Sequence, residues 1–271
     1  MNHHLSSREH KAQNSVVPVG EVQVGARRLV IMAGPCTVED EDSLLKTALA
    51  VQASGAQVLR GGAFKTRTSP DAFQGLGETA LQMLAKAKEK TGLPVATEVT
   101  DVREIDLVGQ CADILQIGSR SMQNTVLLKA VGRCGHPVLL KRGFANTIDE
   151  WLAAAEYILA GGNERVILCE RGIRTFENST RFSLDILSVP VVKSRSHLPI
   201  IVDPSHAAGN RELVGAVARA AIAAGADGLL IEVDCCPDAT KVDGRQTITT
   251  GQFAELMPQL CAVAQAVGRE L

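Results

Sequence analysis

The chain has 271 residues, 45% of them hydrophobic and 21% charged, with a formal net charge of −2. Aromatic residues make up only 3%, which leaves little surface for stacking single-stranded nucleic acid, and a nearly neutral chain is not expected to bind a phosphate backbone. The sequence shows no secretion signal and no apolar stretch of membrane-spanning length, and its seven cysteines are an odd number,. These totals predict a cytoplasmic α/β protein with reduced thiols.

The N-terminal part divides into two short segments. Residues 1–14 are polar and include His3 and His4, which predicts a flexible arm; metal binding by the two histidines is the less favoured interpretation. The segment VVPVGEVQVGARR alternates apolar and polar residues around Gly20, which predicts a β-hairpin within residues 15–28. No Pro- or Ser-rich linker follows, so residues 29–271 are predicted to form one domain.

Eight short aliphatic runs alternate with longer amphipathic segments in that domain. The runs are LVIMAGP, AQVLRGG, LPVATEV, ADILQIG, HPVLLKR, RVILCER, LPIIVDP and ADGLLIEV. Several of the helical segments between them end in glycine, which suits a left-handed C-cap. Eight strand–helix pairs in a chain of this length predict a (β/α)8 TIM barrel, with a doubly wound open sheet as the alternative.

Reactive residues stand at or just after the ends of these runs. In a barrel such positions all open on the face that carries active sites, whereas an open sheet would spread them along an edge. The residues are Cys36, Arg60, Glu98, Arg120, Lys141, Arg171, His206 and Glu232.

Cations are concentrated at this predicted face. Several come from different strand ends, and others from the glycine-rich loop RGGAFKTRTSPDAFQGLG. Crowded like charges repel one another unless an anion or a carboxylate neutralises them, and Arg and Lys both bind carboxylate and phosphate groups. A site for two anionic groups is therefore predicted at Arg60, Lys65, Arg67, Arg120, Lys141, Arg142 and Arg171.

A second group combines ligands of different softness. Cys36 follows AGP, His206 lies in DPSH, Glu232 ends LLIE and Asp243 lies in KVDG. A thiolate, an imidazole and two carboxylates suit Zn²⁺, Fe²⁺, Mn²⁺ or Co²⁺ better than Mg²⁺. On the residues alone, a buried cysteine and a hydrogen-bonded histidine without a metal explain the pattern equally well.

Three further carboxylates belong to the same predicted face. Glu98, Glu170 and Asp203 could each orient water or accept a proton,. For Glu170 the favoured role is that of a counter-ion for the neighbouring cations.

The motifs AGPC, LRGGAFKTRTSPDAFQGLG, TEVTD, ADILQIGSRSMQN, PVLLKRG, VILCERGIRTFE, PIIVDPSHAAG and GADGLLIEV closely resemble those of the type I 3-deoxy-D-arabino-heptulosonate 7-phosphate (DAHP) synthases, β branch. The resemblance runs in order from about Leu29 to Ile248. The related 3-deoxy-D-manno-octulosonate 8-phosphate synthases share the barrel, but they carry a Lys-Ala-Asn-Arg-Ser-Ser type loop where this chain has KTRTS. The heptulosonate branch is therefore favoured.

The resemblance implies a metal-dependent condensation of phosphoenolpyruvate with D-erythrose 4-phosphate, which gives DAHP and phosphate and opens the shikimate route to aromatic amino acids. It implies one divalent ion (Mn, Fe, Zn or Co) held by Cys36, His206, Glu232 and Asp243. Phosphoenolpyruvate would be bound by Arg60, Lys65, Arg120, Lys141 and Arg171. The aldose phosphate would be bound by Lys65, Arg67, Thr68 and Asp203. Catalytic roles would fall to Lys65, Glu98 and His206.

Two segments depart from the family pattern. Thr66 stands where the family usually has a proline that would stiffen the loop,. Asp234, Cys235 and Cys236 stand where relatives commonly have a His-Pro pair. The two cysteines are predicted to pack without a function rather than to face the metal. Together the departures leave open another aldose phosphate as substrate, such as arabinose 5-phosphate or a sugar of secondary metabolism, or a non-catalytic barrel that binds sugar phosphates.

The resemblance also implies a homotetramer that acts on small molecules, with no nucleic-acid or membrane partner. The segment before Leu29 is too short for the ferredoxin-like or chorismate mutase domain of some relatives, so no fused regulatory domain is expected. Control by a separate partner protein remains open.

Overall fold

Two short strands precede the main sheet. The computed structural model describes residues 4–271, and β1 (Val17–Val19) pairs antiparallel with β2 (Val22–Val24). Gly20 in the turn has a φ of +58°, a left-handed conformation that glycine adopts without a steric penalty,. The predicted hairpin is confirmed.

The main sheet is a closed barrel of eight parallel strands. In chain order these are β3 (Val30–Gly34), β4 (Val58–Arg60), β5 (Val95–Glu98), β6 (Ile114–Ile117), β7 (Val138–Lys141), β8 (Val166–Glu170), β9 (Ile200–Val202) and β10 (Gly228–Asp234). The ring closes at Gly228, which lies opposite Val30 of β3 and Ile201 of β9. A short strand, β11 (Ile248–Thr249), pairs with the end of β10. The barrel prediction is confirmed, since an open sheet in this strand order would lack the β10–β9 pairing.

Helices follow each barrel strand. They are α1 (Glu41–Ala53), α2 (Glu78–Thr91), α3 (Ile105–Cys111), α4 (Thr125–Val131), α5 (Ile148–Leu159), α6 (Ser188–Arg195), α7 (Pro204–Ala208), α8 (Arg211–Ala223) and α9 (Thr250–Ala266). Asp40, Thr147 and Thr249 cap α1, α5 and α9 by accepting from first-turn N–H groups,. Within residues 4–271, every helix is too short or too polar to cross a bilayer.

The hydrophobic side chains form two layers, one on each side of the barrel wall. Met32 and Ile167 belong to a buried group that contains strand residues but no helix residues, and this group fills the barrel interior. Their neighbours Ile31 and Leu168 pack with helix side chains in the outer layer. Successive residues of a strand point to opposite faces, so each strand contributes to both layers.

The hairpin closes one end of the barrel. Val17, Val19 and Val24 are buried and belong to the interior group, together with Val30 at the beginning of β3. The hairpin therefore covers the end where the strands begin and leaves the opposite end for the site.

The segment from His4 to Asn14 lies against α5 and α6. The N–H groups of Leu5 and Ser6 donate to the carboxylate of Glu156, and Arg8 donates to the carbonyl of Lys193. These contacts place the segment but do not test its mobility, which stays a prediction, as do the domain limits at residues 14 and 28. His3 lies outside the described residues, so metal binding by His3 and His4 also stays a hypothesis.

Val24→Ala should lower the free energy of unfolding by about 2 kcal/mol, because it removes two buried methyl groups and leaves a cavity at the barrel end. Urea unfolding followed by circular dichroism measures this loss. Val16→Ala is the matched control because Val16 is 44% exposed, and it should cost less than about 0.5 kcal/mol. Equal losses in the two variants would contradict the packing of the hairpin against the barrel.

Candidate active site

A cavity of about 280 Å³ lies at the end of the barrel where the strands finish. The reactive residues named from the sequence meet there, as expected from their positions at the strand ends. Glu232 and Asp203 are buried behind the cavity wall and contact His206. The lining includes Cys36, Arg60, Lys65, Arg67, Thr68, Glu98, Arg120, Lys141, Arg171, His206 and Asp243.

Four potential metal ligands lie together at one side of this cavity. One ligand atom from each of Cys36, His206, Glu232 and Asp243 lies within 4.8 Å of all the others. Nε2 of His206 is 3.3 Å from Oε1 of Glu232 and 3.8 Å from Oδ2 of Asp243. Sγ of Cys36 is 3.4 Å from the same Asp243 oxygen. This spacing suits ligands arranged around a single ion.

The electrostatics of these four residues also fit a divalent cation. Burial lowers the pKa of His206 to about 4, which keeps the imidazole neutral,. Burial raises the pKa of the Cys36 thiol, the charge of Glu232 raises it further, and Lys65 opposes both. The ammonium of Lys65 contacts Cys36 Sγ and lies 3.6 Å from Asp243 Oδ2. The ligand group thus already holds a cation at its edge.

Asp203 is fully buried, and neighbouring groups use both of its oxygens. Oδ1 accepts from the N–H of His206, and Oδ2 accepts from His206 Nδ1 at 2.7 Å and from Lys141 Nζ at 2.6 Å. Burial alone would raise the pKa of Asp203, but His206 and Lys141 outweigh it and hold that pKa well below the usual value. These contacts favour a positioning role, and binding of an aldose phosphate by Asp203 stays a prediction.

Buried cations occupy another part of the wall. Arg60, Lys141 and Arg171 are each at most 4% exposed. Nη1 of Arg60 donates to the carbonyl of Pro35, whereas its Nε is the one buried side-chain nitrogen or oxygen without a partner within residues 4–271. Burial lowers the pKa of Arg171 to about 10. The Nε of Arg60 is therefore a donor that the protein's own acceptors leave unpaired, next to two other buried cations.

The loop between β4 and α2 reaches over the cavity. Nη1 of Arg67 donates to the carbonyl of Phe73 at 2.9 Å, which folds the loop on itself. Nη2 of Arg120 donates to the hydroxyl of Thr68 at 3.0 Å, which ties the loop to the far wall. Arg67, Thr68 and Arg120 therefore present polar groups to the same outer part of the cavity.

Glu98 lies in the wall beneath this loop. Its carboxylate accepts from Thr66 Oγ1 at 3.4 Å and from Gln116 Nε2 at 3.3 Å. Burial raises the pKa of Glu98, and Lys65 and Lys141 oppose the shift. A carboxyl with a raised pKa is suited to exchange a proton near neutral pH.

Arg142 is the member of the predicted cation set that does not line the cavity. Its Nη1 donates to Glu170 Oε2 and to Asp185 Oδ2, both at 2.8 Å. Glu170 is fully buried, so its predicted role as a counter-ion is confirmed. Arg142 follows the last residue of β7, and consecutive residues there point to opposite sides of the wall.

Several lining residues escaped the sequence analysis. Phe144 stacks on Phe182 with ring centroids 5.2 Å apart, and the guanidinium of Arg171 lies 3.9 Å from the Phe182 centroid. The pair supports Arg171 from below by cation–π contact. Arg181 lines the cavity from the long loop between β8 and α6. The sequence analysis selected residues at or just after strand ends, and Arg181 lies well beyond the end of β8.

The Asp234-Cys235-Cys236 segment lies apart from the four clustered ligands. Cys235 Sγ is 3.7 Å from the carbonyl of Ser43, and Cys236 is exposed. The placement of Cys235 agrees with the predicted packing role, whereas the exposed Cys236 does not pack into the interior, and neither belongs to the ligand group. All seven cysteines are free thiols.

Comparison with known proteins gives the family. The family model for the DAHP synthetase I family matches residues 8–268. The chain belongs to the DAHP synthetase I family. Phospho-2-dehydro-3-deoxyheptonate aldolase of Thermotoga maritima is 48% identical over 264 residues, which cover 97% of this chain and 78% of that protein. The resemblance noted in the sequence and the prediction of an enzyme are thereby confirmed.

Solved structures and a more distant relative agree with membership of the DAHP synthetase I family. The crystal structure of the T. maritima DAHP synthase superposes with a TM-score of 0.95 over 98% of this chain and 78% of that one. A truncated form of 3-deoxy-D-arabino-heptulosonate 7-phosphate synthase from T. maritima, 44% identical, superposes with a TM-score of 0.93 over 99% of both chains. 2-Dehydro-3-deoxyphosphooctonate aldolase of Syntrophotalea carbinolica is 31% identical, covering 90% of this chain and 94% of that protein.

Arg142→Met should destabilise the fold by about 3–5 kcal/mol, because it leaves the buried carboxylate of Glu170 without its counter-ion. Urea unfolding measures the loss, and adding Glu170→Gln should restore part of it. Arg27→Met is the control, since the Arg27–Glu270 pair spans 2.9 Å with side chains 73% and 61% exposed; it should cost less than about 1 kcal/mol. Similar losses for the two single variants would show that Arg142 does not neutralise Glu170.

Proposed function

We propose that this chain condenses phosphoenolpyruvate with D-erythrose 4-phosphate to give DAHP and phosphate, using one divalent metal ion, in the cytoplasm at the start of the shikimate route. The observation that carries the proposal is one cavity with four metal-type ligands on one side and buried cations with an unpaired Arg60 Nε beside them. The chain is 48% identical to a relative named for the heptulosonate product and 31% identical to one named for the octulosonate product, which supports the four-carbon aldose.

Phosphoenolpyruvate carries a phosphate and a carboxylate, and the buried cations match both groups. Arg60 offers the unpaired Nε, and Arg171 is held from below by Phe182. Two anionic groups would relieve the repulsion among these side chains, and Arg can bind each group through two hydrogen bonds. The proposed ligands are Arg60, Lys65, Arg120, Lys141 and Arg171.

The aldose phosphate is assigned to the outer part of the cavity. Lys65, Arg67 and Thr68 belong to the loop that reaches over it, and Arg120 binds Thr68 from the other side. The aldehyde end would then point inward to the four ligands, with the phosphate held at the mouth. Asp203 would support this arrangement through Lys141 and His206.

Cys36, His206, Glu232 and Asp243 would hold the divalent ion, which we propose to be Mn, Fe, Zn or Co on the chemistry of the ligands. Such an ion supplies Lewis-acid polarisation of the aldehyde carbonyl when bound. The neutral imidazole of His206 suits it as a ligand rather than as a proton donor.

The chain's own residues would handle binding and protons. C3 of phosphoenolpyruvate attacks the aldehyde carbon, water adds at C2, and phosphate leaves with cleavage of the C–O bond. Burial would lower the pKa of Lys65, but Cys36, Glu232 and Asp243 outweigh it and raise that pKa, so Lys65 is protonated and placed to protonate the new alkoxide. Glu98 would accept the proton of the attacking water,. Holding both substrates in line removes about 7–11 kcal/mol of the barrier in favourable cases.

A second candidate is the same chemistry on arabinose 5-phosphate or another aldose phosphate. Thr66 favours it to a limited degree, because its hydroxyl contacts Glu98 where the family pattern has a proline without a donor. A non-catalytic barrel is disfavoured, since a pure sugar-phosphate binder does not need the four clustered ligands. The homotetramer and a separate regulatory partner stay predictions, and light scattering after size-exclusion chromatography measures the first.

Phosphate release from phosphoenolpyruvate should be fast with erythrose 4-phosphate, slow with arabinose 5-phosphate, and abolished by EDTA until Mn²⁺ is restored. A coupled phosphate assay measures the rate with each sugar, in the presence of EDTA, and after Mn²⁺ is restored. Turnover with the five-carbon sugar alone would contradict the proposed substrate while keeping the mechanism. If no phosphate is released with either sugar after metal is restored, the proposed enzyme activity itself is contradicted.

Metal affinity should rise with pH, because Cys36 must lose its proton to bind an ion. Burial raises the pKa of this thiol, whereas the pKa of His206 is about 4, so only the thiol proton is displaced around neutral pH. The affinity should therefore rise about tenfold per pH unit below the thiol pKa. Competition with a fluorescent chelator measures the slope, and Cys36→Ser should flatten it. A wild-type affinity independent of pH would contradict thiolate ligation.

A further inference from the structure

Two side chains that are not proposed metal ligands contact the two carboxylates that are, Glu232 and Asp243. Gln246 is only 2% exposed, and its Nε2 donates to Oε2 of Glu232 at 2.6 Å. Its Oε1 accepts from Nη1 of Arg181 at 2.7 Å. The same Arg181 nitrogen lies 3.1 Å from Oδ1 of Asp243. Arg181 and Gln246 therefore form one hydrogen-bonded unit that ends on Glu232 and on Asp243.

These contacts use the outer oxygen of each carboxylate. The inner oxygens are Oε1 of Glu232, 3.3 Å from His206 Nε2, and Oδ2 of Asp243, 3.4 Å from Cys36 Sγ. The other nearby cations lie on those inner oxygens: Arg60 is 3.4 Å from Glu232 Oε1, and Lys65 is 3.6 Å from Asp243 Oδ2. Within residues 4–271, the outer oxygens thus contact Arg181 and Gln246, whereas Arg60 and Lys65 contact the inner ones.

The backbone holds Asp243 and Gln246 at a fixed spacing. Both lie on one 3-10 turn, in which the Gln246 N–H donates to the Asp243 carbonyl at 3.1 Å and the Thr247 hydroxyl donates to the same oxygen at 3.1 Å. Asp243 has a φ of +55°, the one positive φ at a non-glycine residue within residues 4–271. A strained ligand position persists where the surroundings over-determine it, as this turn does.

The Arg181 stem is fixed against the helix that carries His206. A Cβ placed on Gly209, which caps α7, would lie 2.3 Å from the Arg181 Cβ. The N–H of Phe182 donates to the carbonyl of Ala207 in α7 at 3.0 Å. A single arginine therefore links the helix of His206 with the turn of Asp243 and, through Gln246, with Glu232 on β10.

We propose that Arg181 and Gln246 are positioning residues that hold the outer oxygens of Asp243 and Glu232, so that each carboxylate presents one inner oxygen to the ion. The proposal rests on the metal-dependent function proposed above. Gln246 donates without adding charge, and Arg181 adds a positive charge that offsets part of the negative charge of a thiolate and two carboxylates. Groups that orient metal ligands in this way commonly contribute 10–100-fold to metal affinity.

Gln246→Met and Arg181→Met test the proposal by metal binding rather than by turnover. Each should weaken Mn²⁺ binding by about 10–100-fold in a chelator competition. The double variant should bind Mn²⁺ only slightly more weakly than the weaker of the two single variants, because both residues belong to one network. The visible spectrum of bound Co²⁺ should also change, because a released carboxylate is free to bind in another mode. Arg181→Lys should recover part of the affinity by keeping a donor to Oδ1 of Asp243.

Arg174→Met is the matched control. Arg174 belongs to the same loop and lies 5.1 Å from the Phe144 centroid, so its loss should leave Mn²⁺ affinity unchanged. Thermal unfolding in EDTA checks that each variant folds, and if Gln246→Met does not fold, Arg181→Met decides alone, since the Arg181 side chain is 36% exposed. Wild-type affinity in a folded Arg181→Met variant would overturn the positioning role and leave the proposed function standing. A wild-type protein that binds no divalent ion would overturn both.

Discussion

One buried carboxylate joins the two halves of the site. Oδ2 of Asp203 accepts from Lys141 at 2.6 Å and from His206 Nδ1 at 2.7 Å. The bond to Lys141 holds that cation in the wall proposed to bind phosphoenolpyruvate. The bond to His206 Nδ1 leaves His206 Nε2 facing the carboxylates of Glu232 and Asp243,. Without this charge Lys141 would be buried and unpaired, and the imidazole would lose its orientation. Both proposed binding functions therefore depend on the charge of Asp203.

The barrel can hold this concentration of buried charge because its apolar and charged side chains lie at opposite ends. The hairpin and the apolar interior close the end where the strands begin, so the charged side chains are confined to the other end. There the charges are divided: Glu170 is neutralised by Arg142 outside the cavity, whereas Arg60 lines the cavity and keeps a buried, unpaired Nε. The cavity wall therefore combines buried cations with the group of four potential metal ligands.

The fold and the identity of most site residues followed from local sequence patterns. A reactive residue stands at or shortly after the end of each buried strand, and closure of a parallel sheet brings those ends together whatever their separation in the chain. The direction of Arg142 and the burial of Asp203 did not follow, because they depend on the side of the wall that a residue faces after the strand ends. Arg181 and Gln246 were missed for a related reason. Their partners are 62 and 14 residues away, and only the folded loops bring them together.

The most direct test of the central claim is the distance between bound phosphoenolpyruvate and the ion. Bound Mn²⁺ should strongly broaden the ³¹P resonance of phosphoenolpyruvate, because both would occupy one cavity of about 280 Å³. Replacing Mn²⁺ by diamagnetic Zn²⁺ should remove the broadening without releasing phosphoenolpyruvate. Saturable binding of phosphoenolpyruvate with a ³¹P signal indifferent to bound Mn²⁺ would place the two sites apart and contradict the account.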